Sequence, residues 1–183
     1  AEARILEEYI AQKNFLQITE MFYNEFLKAA YGDFFRKHLD LRENEFEESE
    51  IHRIIAQTNY RGIVTTNLDP ALELHGVENR ITFPEMLNEL YWIRNKFYAK
   101  IHGCIQSNTA SNWVLTQTQY EDLLKNELYK NVLGSIYTFF QVITVGYGLT
   151  DPDFLQIQKY RKEIQLESIM PIYALLKFTG TIQ

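Results

Sequence analysis

The sequence predicts an α/β fold, a mostly parallel sheet flanked by helices. Three observations point there. Short, mainly apolar runs, two of them rich in β-branched residues, occur at residues 62–66, 96–101, 141–146 and 170–176, and they lack the strict alternation of a half-exposed hairpin strand. Segments with helical periodicity separate these runs. Two of the runs also end alike: Asn67-Leu68-Asp69-Pro70 follows the first, and Tyr147-Gly148-Leu149-Thr150-Asp151-Pro152 follows the third. In each, a strand turns polar and Asp-Pro opens a helix, the carboxylate capping exposed N–H groups and proline fitting the first helical position. In open α/β sheets the junction at a strand's carboxyl end is where ligands bind.

Taken in order, residues 3–30 carry apolar positions at spacings of three and four, with Asn14 dividing two helices and Tyr31-Gly32-Asp33 breaking the pattern. Residues 34–41 form a short helix, and 48–59 form another that leads into the strand at 62–66. A short helix over 70–76 ends near Gly76. Residues 77–94 hold a loop, with a helix around 84–92. The strand at 96–101 runs into His102-Gly103, a polar turn covers 106–112, and Trp113-Val114-Leu115-Thr116 reads as a short strand. Helices over 120–125 and 128–140 precede the strand at 141–146, a helix from 152 to about 165 follows it, and residues 170–176 form the last strand.

Composition narrows the function. A length of 183 residues is that of one domain, and 46% hydrophobic residues supply a core. The 12 Tyr and 12 Phe serve packing first and partner surfaces second. The net charge of −6 and the absence of a basic stripe exclude direct nucleic-acid binding by this domain. Residues 40–50 hold six carboxylates and one arginine, a solvated acidic run. The single cysteine, Cys104, rules out an internal disulfide framework and, with no signal peptide or apolar span in view, fits a reducing, cytoplasmic compartment and no membrane. His38, His52 and His75 show no metal-ligand spacing, and no Walker loop or Gly-x-Ser-x-Gly elbow occurs.

Three segments, TTNLD at 65–69, KIHG at 100–103 and GYGLTDPDF at 146–154, resemble in order and spacing the signals of the sirtuin-like NAD-consuming family. The resemblance covers roughly residues 50–176 and is nearest to the bacterial antiviral subgroup, which hydrolyses NAD+. It implies a Rossmann-like sheet, NAD+ as substrate, and regulation by homo-oligomerisation or by a partner protein or domain. The family's Gly-Ala-Gly-type phosphate turn has no counterpart here, so the chain reads as an excerpt of a longer protein that begins after it. Leu68 stands where the family has an aromatic residue and Gly148 where it has serine.

The resemblance implies that Asn67 holds a ribose hydroxyl or a water, a task for which a carboxamide offers both donor and acceptor. It also implies that His102 is the general base, an imidazole that titrates near neutrality. Thr65, Thr66, Gly146, Tyr147 and Gly148 are the implied NAD+ contacts. Asp69 reads equally as an N-cap and as a contact to the nicotinamide amide, while Asp151 is first a cap and second a contact. Cys104 reads as a small buried residue. No metal is expected: one cysteine cannot build the four-cysteine zinc lobe of classical deacylases, and this favours NAD+ hydrolysis over deacylation. A third reading, a non-catalytic nucleotide-sensing or assembly module, stands beside these two.

Overall fold

A computed structural model describes residues 2–12, 14–25, 28–40, 49–87, 95–107, 112–147, 152–163 and 171–175. The chain divides into two compact units, Ala1–Glu121 and Asp122–Gln183.

The first unit opens with α1 (Glu2–Ala11), α2 (Phe15–Glu25) and α3 (Lys28–Leu39). Asn14 does separate α1 from α2, and its side chain accepts the Gln17 N–H at 3.3 Å. The expected break at Tyr31-Gly32-Asp33 is absent, because α3 runs straight through it. Aromatic packing explains this. Tyr31 meets Tyr23 edge-on at 5.1 Å and Phe35, one helical turn on, at 4.8 Å. Those contacts outweigh the roughly 1 kcal/mol that glycine costs inside a helix.

Next come α4 (Glu50–Gln57), β1 (Gly62–Thr65), α5 (Ala71–Leu74), β2 (Arg80–Thr82), a 3-10 turn (Glu85–Leu87) and β3 (Phe97–Lys100). The helix expected around 84–92 is only this 3-10 turn as far as residue 87, and 88–94 lie outside the described residues. The three strands form one parallel sheet in the order β1-β3-β2, so β3 is central. All four β3 residues are buried, as a central parallel strand requires. In register, Thr65 and Thr82 flank Lys100 on either side.

Residues 113–116 do not form the expected strand. Their backbone groups go elsewhere: Val114 N–H to the His102 carbonyl at 3.0 Å, and the Leu115 and Thr116 N–H groups to Gln119 Oε1 at 2.9 and 3.0 Å. The Gln119 N–H returns to Thr116 Oγ1 at 3.2 Å. This reciprocal Thr-x-x-Gln arrangement is a capping box. It starts α6 (Gln117–Lys125) three residues before the expected start at Tyr120. From α2, Glu20 takes the Thr118 N–H and hydroxyl, both at 3.0 Å, and Thr19 donates to the Leu115 carbonyl.

The second unit holds α7 (Glu127–Phe139), β4 (Ile143–Val145), α8 (Pro152–Glu163) and β5 (Tyr173–Leu175). Asn126 caps α7, accepting the Leu128 and Tyr129 N–H groups at 2.9 and 3.2 Å. β4 and β5 pair in parallel as a two-stranded sheet. The α/β class with a parallel sheet flanked by helices is therefore the architecture of this chain. Among the described residues no helix is long and apolar enough to cross a membrane.

Candidate functional site at the carboxyl ends of β1 and β3

The pairing of β1 with β3 builds the site. Thr65 and Lys100 are register partners, and each chain runs two residues further to Asn67 and His102. Neighbouring strands lie about 4.8 Å apart, so the two residues leave the sheet side by side at one edge. Backbone bonds continue past the ladder: Ile101 N–H to the Thr65 carbonyl and Ile105 N–H to the Leu68 carbonyl, both at 3.0 Å. The two turns are thus laced together, with Asn67 and His102 between the laces.

Within the first turn, side chains alternate in role. Asn67 is exposed, whereas Leu68 is buried against Ile105 and Trp113, with Phe35, Leu39 and Leu115 around them. An aliphatic side chain thus fills the position at which the resembling family has an aromatic. Thr65 Oγ1 accepts the Asn67 N–H at 3.1 Å, which makes this hydroxyl part of the turn itself. Asp69 Oδ1 accepts the Ala71 N–H at 3.0 Å, an Asx-type bond within the turn; the N-cap of α5 is Pro70, without a side-chain cap bond, so the expected Asp69 cap with Pro70 at the first helical position shifts by one residue. Thr66 is half-buried beside Asn67.

The second turn needs its glycine. Gly103 has φ +93°, and a Cβ there would lie 2.4 Å from the Asn112 carbonyl oxygen. His102 is only 3% exposed, its Nδ1 3.3 Å from the Tyr120 hydroxyl and its ring edge-on to that tyrosine at 4.7 Å. Of the two residues, Asn67 is exposed and His102 is buried. Tyr120 was not legible as a site residue, although the Thr116-x-x-Gln119 box that fixes its helix was a usable signal. Cys104 is fully buried, and its carbonyl accepts Trp113 Nε1–H at 2.7 Å, which fits a packing role.

Below the turns lies a polar cluster that sequence reading missed. Lys100, with 0% exposure, donates to the Asp69 carbonyl, to Glu73 Oε1 at 3.3 Å and to Tyr98 Oη at 3.3 Å. Tyr98 donates to Glu73 Oε2 at 2.9 Å, and Arg80 reaches Glu73 Oε1 at 3.0 Å. Burial pushes the Tyr98 phenol up, and the charge of Glu73 and the hydrogen bond to it push it further, so it remains a neutral donor.

Gly146 and Tyr147 follow β4 in the second unit. Gly146 has φ +63° with open space around it, and Tyr147 packs edge-on to Phe154 at 6.3 Å. Gly148 and Asp151 lie outside the described residues. Among the described residues no group of three or more His, Cys, Asp or Glu is placed to hold a metal ion.

In open α/β sheets ligands bind at the carboxyl ends of the strands, which is where these polar side chains gather. A family model described as SIR2-like domain matches residues 61–181, well over half of the chain, and the chain belongs to that family. The match begins at β1 and takes in both turns. Its function is accordingly sirtuin-like and NAD-related. No curated protein matches the sequence at a significant level.

Proposed function

We propose that this chain is the catalytic part of an NAD+ glycohydrolase, which cleaves the nicotinamide–ribose bond with water to give nicotinamide, ADP-ribose and a proton. The observation that carries this reading is the in-register pairing that sets Asn67 beside His102 within the SIR2-like match. The leaving group is a neutral pyridine, and the transition state resembles an oxocarbenium ion. The protein's task is to orient the ribose, limit water and accept one proton. Asn67, exposed on a turn whose backbone is anchored on both sides, holds a ribose hydroxyl or the attacking water. His102 takes the proton. In the tautomer whose Nδ1–H donates to the Tyr120 hydroxyl, Nε2 is the accepting atom, and this tautomer is assigned to the base. Thr65, Thr66 and Asp69 lie on the same turn, and the resemblance assigns Gly146, Tyr147, Gly148 and Asp151 to the same substrate.

Deacylation is disfavoured by the single cysteine. The low exposure of His102 favours a second reading, a non-catalytic nucleotide-sensing module. The resemblance to the antiviral subgroup supports an antiphage role through NAD+ depletion, with a homo-oligomer or partner restraining the activity in the bacterial cytoplasm.

Nicotinamide release by activated full-length protein at saturating NAD+ tests the proposal. His102→Ala should lose roughly 10²–10⁴ in rate and Asn67→Ala a similar order, with thermal unfolding preserved in both. Wild-type rates in both variants would sink the assigned roles. NAD+ binding without any nicotinamide release would favour the sensing module.

A further inference from the structure

We propose that Lys100 is a positioning residue that clamps the turn between β1 and α5, and with it Asn67, onto β3; the proposal rests on the hydrolase reading above. A buried ammonium needs complete pairing, and Lys100 obtains it from three places. The Asp69 carbonyl belongs to the turn, Glu73 to α5 and Tyr98 to β3 itself. Arg80 of β2 holds the same oxygen of the Glu73 carboxylate at 3.0 Å. The cluster therefore ties the turn to α5, β3 and β2.

Stability alone does not account for such a cluster, since a buried ion pair is often replaceable by apolar residues without loss. Orientation does. The Asn67 side chain is exposed, so its direction is set by backbone anchors on consecutive residues. The Asn67 N–H is tied to Thr65 Oγ1, the Leu68 carbonyl to the Ile105 N–H, and the Asp69 carbonyl to Lys100. The first anchor is local to the turn. The other two reach over to the His102 side of the site, and Lys100 is the one charged donor among the three. Because Lys100 ends β3 two residues before His102, a single side chain couples the position of Asn67 to that of the base.

The test compares wild type with the pair Lys100→Met/Glu73→Gln, which removes both charges together, and with Lys100→Arg, which keeps the charge but moves the donors. All are made in the full-length protein. Melting temperature, kcat and KM for nicotinamide release, and hydrogen exchange of the Asn67, Ala71 and Ile105 amides are measured for each. The expected result is a kcat about 10–100-fold lower in both variants, the order lost when a reacting group is displaced by about 1 Å. KM should change little, the melting temperature of the charge-free pair should stay near that of wild type, and the three amides should exchange faster. Wild-type kcat in a stably folded variant would overturn the clamp and leave Lys100 a structural residue. If wild type itself releases no nicotinamide, the hydrolase reading fails by itself and amide exchange decides about the clamp: unchanged protection of the three amides overturns it, and faster exchange confined to them supports it.

Discussion

Gly103→Ala probes the second turn, and its cost can be worked from the geometry. At φ +93° an L-residue is strained whatever its surroundings, by about 1–2 kcal/mol. The new Cβ would also lie 2.4 Å from the Asn112 carbonyl oxygen, 3.2 Å from its carbon and 3.3 Å from Trp113 Cα. All three are backbone atoms, so no side-chain rotation relieves the clash. The segment from Asn112 must shift, and with it the Val114 N–H bond to the His102 carbonyl and the Trp113 Nε1–H bond to the Cys104 carbonyl. Overpacking of this kind costs about 1–3 kcal/mol. A total near 3 kcal/mol corresponds to a melting temperature lower by roughly 6–12 °C for a chain of this size. Gly76→Ala is the control: φ is +84° there, but nothing lies within 4 Å of the added carbon. It should lose only the backbone share, about 1–2 kcal/mol. Urea unfolding of the two variants measures the difference. Equal losses at positions 103 and 76 would refute the close approach of the Asn112 backbone to the His-Gly turn.

Three further outcomes are expected. Cys104→Ala should leave the rate of nicotinamide release near wild type while costing about 1 kcal/mol in denaturant unfolding, as for other small truncations of buried side chains; a folded but dead variant would make the thiol a nucleophile. Tyr120→Phe keeps the ring contact and removes the hydroxyl near His102 Nδ1, so it should lose about 1 kcal/mol of stability and lower kcat more than it changes KM; an unchanged kcat would show that this tyrosine does not orient the imidazole. Burial raises the Glu20 carboxyl, but the Thr118 N–H and the Thr116, Thr118 and Asn24 side chains outweigh it and hold the group below the usual glutamate range. Its stabilising effect is therefore complete above that range and fades as pH falls through the lower folded value, so the stability gap between wild type and Glu20→Gln, measured by thermal unfolding, should close on acidification; a gap that persists at low pH would refute the capping role.

The parts of the fold legible in the sequence were those written in contiguous residues. Gly62 to Thr65 and Phe97 to Lys100 are short apolar runs ending in polar turns, and they form β1 and β3 as read. The Asp-Pro punctuation at 69–70 predicted the turn into α5, although Pro70 rather than Asp69 stands at the N-cap and the carboxylate bonds the Ala71 N–H within the turn. What failed depended on distant partners. Arg80-Ile81-Thr82 is too short and polar to read as a strand, yet it pairs because β3 offers an unfilled edge in register. Trp113 to Thr116 has strand composition, but side chains of Gln119 and Thr19 and the carbonyl of His102 claim its backbone groups first. The helix through Gly32 survives because Tyr23 and Phe35 hold Tyr31.

The candidate site divides along the same line. Asn67 and His102 could be named from their motifs, since each sits at a strand end beside a residue with a turn preference. Their adjacency depends on strand order, and only the placement of β1 next to β3 supplies it. The residues that support them were out of reach for a further reason. Lys100 and Glu73 are 27 positions apart and Tyr120 and His102 are 18 apart, and in a linear reading Lys100, Glu73 and Tyr120 look like ordinary surface residues. A lysine in the middle of an apolar strand is nonetheless a usable signal. Burying its charge is tolerable only if the fold supplies acceptors from neighbouring elements. The run Phe97-Tyr98-Ala99-Lys100-Ile101 therefore implies a carboxylate or carbonyl above the strand end, and the turn that carries Asn67 is the element that provides one.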